Sequence, residues 1–554
     1  MMEVHPIVPA TFTDTHRKHA QTVTSPRGNN ASRRRHEAAA ARARREKQRI
    51  DYLAAGGRLW TPKRRNGLRF VDIFCGAGGS SIGLSSAGYE LLLAANHWRT
   101  AIDTHAANFT SAEHLCADVN NYDFRYLPRG ADVLWASPIC TELSPAGGNG
   151  GPKHPDGAAD MLQELGHVSD KGKERTRATF MDIIRASEVW RFKSVLVENV
   201  PDVAERWELF DWWLSGMERL GYRYKLVSVN SAHVGGDGIP YAPQWRDRLY
   251  IVFIRKDIGR TPDVTPRPLS RCATCETDVH GVQTWAPSVL RRKFQVGRYR
   301  RNPHSSYGQY WYTCPNSGCG RRVEPYVMPA VSVIDFTDIG VRIGDLPRTA
   351  RKPEGLAPKT MTRIRAGMRK FGPRRIVTTT CPQTHTAPPM SVPVGGTWAE
   401  DPVDLVESPA RTVMANEKGC EALVTPHPFL AALADTTDAA PLDTARHHAL
   451  IVPYYTTGSA TTSHEPLGTV STHDRFAMVT AEELAVRAEH DVFDAYYRML
   501  KARESLRAQT FPEDYLVLGG SGEQTMQAGN AVSCNVAWWI GEQVAKVLTP
   551  HPEF

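Results

Sequence analysis

Nowhere in the 554 residues does an apolar run approach the roughly 18 residues of a membrane span, which speaks against a transmembrane helix and a membrane partner. The N-terminus shows no apolar core of a secretory leader. Cysteine is sparse, ten in all, and several sit in motifs that need free thiols or a metal. That argues against a disulfide framework and for a reducing, cytoplasmic setting. Basic surplus is also missing from most of the chain. Residues 1–65 hold 15 Lys+Arg against 5 Asp+Glu, a net +10, whereas the whole chain carries only +8. The body is therefore near neutral. Its basic arm has two readings, a solvated solubility segment or an arm that tracks phosphates by releasing counterions.

What is present is a chain long enough for two or three packed domains, with 41% hydrophobic residues to fill their cores. Residues 1–30 are polar and aperiodic and are expected to be disordered. Residues 31–55 are rich in Ala, Arg and Glu and predict a basic helix, stopped by Gly56-Gly57. From 66 to 260, apolar strands at 68–74, 90–95, 132–136, 194–198 and 249–254 alternate with helical stretches such as 80–87 and 180–190. This pattern predicts an α/β domain with a doubly wound, mostly parallel sheet. Residues 141–175 interrupt it with a Gly- and Pro-rich loop of functional length.

Residues 261–489 read as an inserted, β-rich domain. A degenerate repeat over 405–482 sets a Pro-led turn and a Thr before a short apolar strand, ending in Ala422-Leu423-Val424, Ala449-Leu450-Ile451-Val452 and Ala477-Met478-Val479. Within 268–325 stand Cys272-x2-Cys275 and, after 38 residues, Cys314-x4-Cys319. Two knuckle-like pairs with glycine turns predict a four-thiolate structural zinc site. Between the pairs lie Trp285, Arg291, Arg292, Lys293, Arg298, Tyr299, Arg300, Arg301, Tyr307, Tyr310, Trp311 and Tyr312. Interleaved cations and aromatics suit phosphate contact and base stacking. Helical periodicity returns in 490–554, expected to complete the first domain.

Four motifs carry chemistry. Phe74-Cys75-Gly76-Ala77-Gly78-Gly79 ends the first strand and opens a helix, a turn at which backbone can approach a nucleotide-like ligand. Pro138-Ile139-Cys140-Thr141 puts a thiol at a strand's carboxyl end, placed for nucleophilic attack. Glu198-Asn199-Val200-Pro201 puts a carboxyl at another, fit for general acid work. In Gln244-Trp245-Arg246-Asp247-Arg248 two guanidiniums, two residues apart, share one face of extended chain. Each pattern alone has a bland counterpart: a buried thiol, a cap, a surface ion pair.

Their order, together with Arg503-Glu504…Gln509-Thr510-Phe511-Pro512-Glu513-Asp514-Tyr515 and Gly529-Asn530-Ala531-Val532, resembles the DNA cytosine-5 methyltransferase family. The resemblance covers 68–260 and 490–546. It implies a class I S-adenosylmethionine-dependent fold with 261–489 as target recognition domain, double-stranded DNA as partner, and a monomer, and it leaves room for a cognate restriction endonuclease. It implies Cys140 as nucleophile toward carbon 6 of a flipped cytosine, Glu198 at ring nitrogen 3, and Arg248 with Arg246 orienting them. It also implies a cofactor site of Phe74, Gly76, Gly78, Asp118, Pro138, Asn530 and Val532, with 141–175 closing over DNA. His97 stands where the family usually has a ribose-binding acid. Three alternatives stay open. An RNA cytosine-5 methyltransferase is disfavoured by the large insert. A silent DNA-binding relative is disfavoured by intact Cys140, Glu198, Arg246 and Arg248. Transfer of a group other than methyl is hinted at by His97 alone.

Overall fold

The computed structural model describes residues 28–55, 65–139, 170–301, 308–335, 337–371, 390–393, 421–424, 450–453, 467–468, 476–480 and 491–549. Cys140, most of the 141–175 loop, residues 1–27, Tyr307 and the Pro/Thr turns of the repeat lie outside the described residues.

The first domain is built on a seven-stranded sheet. Its strands are β1 (Arg69–Ile73), β2 (Glu90–Asn96), β3 (Glu113–Cys116), β4 (Val133–Ala136), β5 (Ser194–Asn199), β6 (Tyr222–Asn230) and β7 (Asp247–Arg255), in the order β3-β2-β1-β4-β5-β7-β6. The first five are parallel, and β7 runs antiparallel to both its neighbours. Strand alternation sorts the core into two layers. Phe70, Trp135, Leu196 and Val252 face one side with Ile82, Ile540 and Val544. Val71, Leu134, Val195 and Ile251 face the other with Phe180, Trp213 and Met217. Helices on both faces make this the doubly wound fold. Strand order reverses between β1 and β4, and in such sheets ligands bind outside the carboxyl ends at that switch point. The Phe74 turn and Pro138 therefore start where a site belongs.

The helix after β1, α2 (Gly79–Ser86), packs on the last helix, Cys534–Leu548. A Cβ on Gly79 would lie 2.0 Å from the Val532 carbonyl oxygen, so only glycine permits this approach of the C-terminal segment. That segment thus packs onto the first domain. Its boundary shifts, because Tyr496–Met499 pairs with Phe476–Thr480 of the insert.

The three repeat strands are neighbours. Glu421–Val424, Leu450–Pro453 and Phe476–Thr480 pair antiparallel in sequence order, with Leu423 opposite Ile451 and Ile451 opposite Met478. Ala422 also pairs with Met499, so Tyr496–Met499 closes these strands on themselves. A second module, residues 269–325, forms a separate five-stranded antiparallel sheet.

The basic helix exists as α1 (Gly28–Ala54), but its second half is not a free arm. Arg45, 6% exposed, pairs with Asp103 at 2.9 Å. Gln48 bonds both the N–H and the carbonyl of Gly519, and the Tyr52 hydroxyl donates to the Asp514 carbonyl.

Candidate active site and cofactor cleft

The turn after β1 is held in an unusual backbone. Phe74 has φ 64°, sparsely populated for a bulky residue, and such strain clusters at ligand sites. Phe74 lines a cleft of about 620 Å³, together with His97, Ala117, Asp118, Val119, Asn120, Ile139, Ala178 and Thr179. The volume suits a nucleoside-sized ligand. His97 and Asp118 are exposed side chains at the ends of β2 and β3, and Asp118 Oδ1 accepts the Asn120 N–H at 3.1 Å. Sequence reasoning named Phe74, His97 and Asp118. It missed Ala178 and Thr179, which reach the cleft from the helix Asp170–Trp190 that follows the long loop. No motif marks these two.

The remaining predicted cofactor residues pack beside that cleft. The Asn530 carbonyl lies 3.9 Å from a Cβ built on Gly76, and Val532 is buried against Gly79. The Tyr515 hydroxyl donates to the Ala77 carbonyl at 2.6 Å, so the penultimate motif clasps the glycine turn. Gly78 sits against that hydroxyl.

Glu198, next to last in β5, is almost fully buried, and its Oε1 forms an ion pair with Arg248 Nε at 2.9 Å. Next to it, the Asn199 side-chain amide donates to the Pro138 carbonyl at 3.1 Å. The Glu-Asn motif and the turn leading into Cys140 are thereby tied together. Arg246 does something else. It is 3% exposed and donates through Nη2 to the carbonyls of Ala531 at 2.6 Å and Gly529 at 3.3 Å. The two guanidiniums therefore split their tasks: Arg248 meets the carboxyl, and Arg246 straps the last motif to β7.

A model of C-5 cytosine-specific DNA methylase matches residues 68–279 and 437–546. The chain belongs to that family. Type II methyltransferase M.HhaI of Haemophilus parahaemolyticus is 27% identical over 210 residues, 37% of this chain and 55% of that protein. M.PspPI of Psychrobacter sp. (strain TA137) is 27% identical over 252 residues, 44% and 54% of the two chains. M1.HphI of Haemophilus parahaemolyticus is 31% identical over 207 residues, 35% and 47%. The chain spans about half the length of the curated relatives it matches.

Under the methylase glycine turn runs a buried polar chain that the sequence did not announce. Ser80 and Ser81 each donate to Asp72 Oδ2 at 2.6 Å, and Asp72 Oδ1 is buried with no partner. His105 Nε2 lies 3.0 Å from the Ser81 hydroxyl, and its Nδ1 lies 2.9 Å from His114 Nε2. Since Ser81 donates to Asp72, the network assigns a proton to His105 Nε2 and the donor role to His114 Nε2. Burial holds the His105 imidazole well below its ordinary range, and that of His114 down to about 4. The same burial raises the Asp72 carboxyl to about 7, against the two serine hydroxyls. The unfolded chain ionises this group near 3.8 and the folded chain near 7. Its stabilising contribution is thus full below about pH 4 and lost as pH rises to 7. Asp72→Asn is expected to flatten the melting temperature across that window and to gain on wild type at pH 8. A pH series of thermal melts checks this, and parallel curves for the two proteins would count against it.

The four predicted metal-site cysteines do meet. Cys272 and Cys319 Sγ are 3.7 Å apart, Cys275 and Cys314 Sγ 3.9 Å, and all four lie within 4.8 Å of one another. Gly318 and Gly320, at φ 78° and 53°, supply the tight turn around Cys319. The Cys275 amide donates to Cys272 Sγ and holds that thiol below its ordinary range.

The aromatics between the cysteine pairs were expected to stack on bases, and most do not stand free to do so. Tyr299, Tyr310 and Tyr312 are 2%, 0% and 0% exposed, in one cluster with Trp245 and Val323. Arg292, Lys293 and Arg298 pair with Glu205, Asp211 and Asp202 of the catalytic domain. A small module has to bury aromatic area to dock, and its cations answer carboxylates across the seam.

Proposed function

We propose that this chain transfers a methyl group from S-adenosylmethionine to carbon 5 of a cytosine flipped out of duplex DNA. The observation that carries the proposal is the Glu198–Arg248 pair, tied through Asn199 to the Pro138 carbonyl, two residues before Cys140. Addition across a pyrimidine ring needs a thiol and an acid, and the chain offers a buried carboxyl at the end of β5 and, four residues after β4 in sequence, Cys140.

The cleft fits the cofactor chemically: an aromatic face from Phe74, a carboxylate from Asp118 and a hydrogen-bonding imidazole from His97. S-adenosylmethionine supplies an electrophilic methyl on a sulfonium. The chain's residues do the rest. Cys140 thiolate adds to carbon 6 while Glu198 gives its proton to ring nitrogen 3, which turns carbon 5 into a nucleophile. Arg248 fixes the Glu198 carboxyl and faces the ring's O2. Once carbon 5 carries the new group, a base takes its proton, the carbon–sulfur bond breaks, Cys140 leaves as thiolate, and ring nitrogen 3 returns its proton to Glu198. His97 offers the ribose one lone pair where a carboxylate has several. No helix among the described residues is long and apolar enough to cross a membrane. Duplex DNA is the substrate of this proposal, and a cognate endonuclease is its natural companion.

The cysteine cluster is proposed to hold structural zinc. A thiolate tetrahedron about 2.3 Å from a central ion has edges of about 3.8 Å, which matches the separations of 3.7 and 3.9 Å. A disulfide would need about 2.05 Å. Freshly purified protein should carry about one zinc per chain by elemental analysis, and Cys272→Ser should lower it. Metal-free, folded protein would refute this assignment.

The function itself is tested by sequencing DNA from cells expressing the chain for cytosines protected from bisulfite, with nucleoside mass spectrometry of the product. 5-Methylcytosine in DNA is the expected result. Modification of RNA alone, a heavier product, or no product would each overturn the proposal.

A further inference from the structure

The cysteine module is fastened beside the two strand ends that carry the catalytic pair, Glu198 at the end of β5 and Arg248 at the start of β7. Arg298 pairs with Asp202, a carboxylate whose side chain is 2% exposed and which lies four residues after Glu198. Arg292 Nη1 meets Glu205 at 2.6 Å on the same short helix, Asp202–Arg206. The backbone N–H of Tyr299 donates to Asp247 Oδ1 at 3.0 Å, and Asp247 stands between Arg246 and Arg248. Two buried carboxylates, Asp202 just past the end of β5 and Asp247 at the start of β7, thus take their partners from consecutive residues of the module, Arg298 and Tyr299. A third anchor holds β6, where Ser228 Oγ accepts the Gly297 N–H at 3.1 Å and the Ser228 carbonyl accepts from Gln283 at 2.9 Å.

Ring packing completes the joint. Trp245, adjacent to Arg246, stacks on Tyr299 at 5.9 Å with 15° between the planes. His233 is buried edge-on among Trp245, Tyr299 and Tyr312, with neither ring nitrogen bonded. The cysteines close the other end of the same strands. Cys272 ends the strand Leu269–Cys272, and Cys314 follows Tyr310–Thr313. Tyr310 in turn accepts the Arg300 N–H at 2.7 Å. A metal that fixes Cys314 therefore fixes Tyr310, and through it the 298–300 segment.

We propose that the cysteine module positions Glu198 and Arg248 from behind, and that Arg298 is a positioning residue for methyl transfer. The inference rests on reading Glu198 and Arg248 as the catalytic pair. A module whose work was DNA capture would keep its cations and aromatics outside. This one turns Arg298, Tyr299, Tyr310 and Tyr312 inward.

The test uses the full zinc-loaded chain and Arg298→Ala, Arg298→Lys and Asp202→Asn variants. Arg298→Ala is expected to lower kcat by about tenfold to a hundredfold, the cost of misplacing a reacting group by a fraction of an ångström to one ångström. Zinc content, S-adenosylmethionine affinity and KM for duplex should stay as in wild type. Arg298→Lys should recover part of kcat, and Asp202→Asn should reproduce the loss without adding to it in the double variant. Backbone hydrogen exchange gives a readout independent of activity: amides of 198–206 and 246–250 should exchange faster in Arg298→Ala, and those of β1 and β2 should not. Unchanged exchange there, or a loss confined to duplex affinity, overturns the proposal. If wild type methylates nothing, the functional reading fails, while the exchange experiment still decides whether the module braces these strand ends.

Discussion

Glu198→Gln is expected to lower turnover by about 10²–10⁴-fold, the usual worth of a positioned acid, with duplex and cofactor affinity little changed. The carboxyl is almost fully buried, and its Oε1 is ion-paired with Arg248 Nε at 2.9 Å. Glutamine fills the same volume and still offers Arg248 an acceptor, so the strand end should hold. What it cannot do is give a proton to a ring nitrogen. The loss should therefore fall on kcat in single-turnover experiments. Cys140→Ser should be still more severe, because a serine hydroxyl at neutral pH is a far poorer nucleophile than a thiolate. A duplex bearing 5-fluorocytosine separates the two variants. Wild type should be trapped covalently, Glu198→Gln slowly, and Cys140→Ser not at all. Turnover by Glu198→Gln within tenfold of wild type would remove Glu198 from the chemistry.

Strand ends were the legible part of this molecule. Each of the four chemical motifs lies at the end of an apolar run, or just before one, and β1, β2, β4, β5 and β7 appear where those runs predicted. The two strands of the seven-stranded sheet that went unread have no such signature. Glu113-His114-Leu115-Cys116 sits at the sheet edge without alternation, and Tyr222–Asn230 begins with alternating charged and aromatic residues. The repeat was readable because one short apolar run recurs three times, and each copy is a strand of the same sheet. Its closure through Ala422 and Met499 was not, since that pairing joins residues 77 positions apart, across the repeat and past the end of the insert. Site chemistry was legible where a side chain acts on what lies beside it, as Glu198 and the cysteine pairs do. It was illegible where the partner is backbone far along the chain. Nothing local says that Arg246 answers carbonyls at 529 and 531, or that Gln48 answers Gly519. Composition misled once. Cations interleaved with tyrosines resemble a nucleic-acid surface, but three of them, Arg292, Lys293 and Arg298, pair with carboxylates at 205, 211 and 202.

Arg246→Ala is the second change with a large expected effect, and it should act through the cofactor rather than the base. The guanidinium holds the carbonyls of Gly529 and Ala531, which flank Asn530. Removing it leaves buried acceptors unpaired at about 1–3 kcal/mol each, besides the space left by the side chain. The C-terminal segment should then loosen from β7 and from the glycine turn, where Val532 meets Gly79. Each 1.4 kcal/mol lost from the closed cleft raises the S-adenosylmethionine Kd about tenfold. Arg246→Lys should be intermediate, because an ammonium is a point donor and cannot reproduce a planar fork. Calorimetry with S-adenosylmethionine and urea unfolding of the three proteins check this directly. Should Arg246→Ala bind S-adenosylmethionine as wild type does and lose only duplex affinity, Arg246 belongs to the substrate and not to the strap.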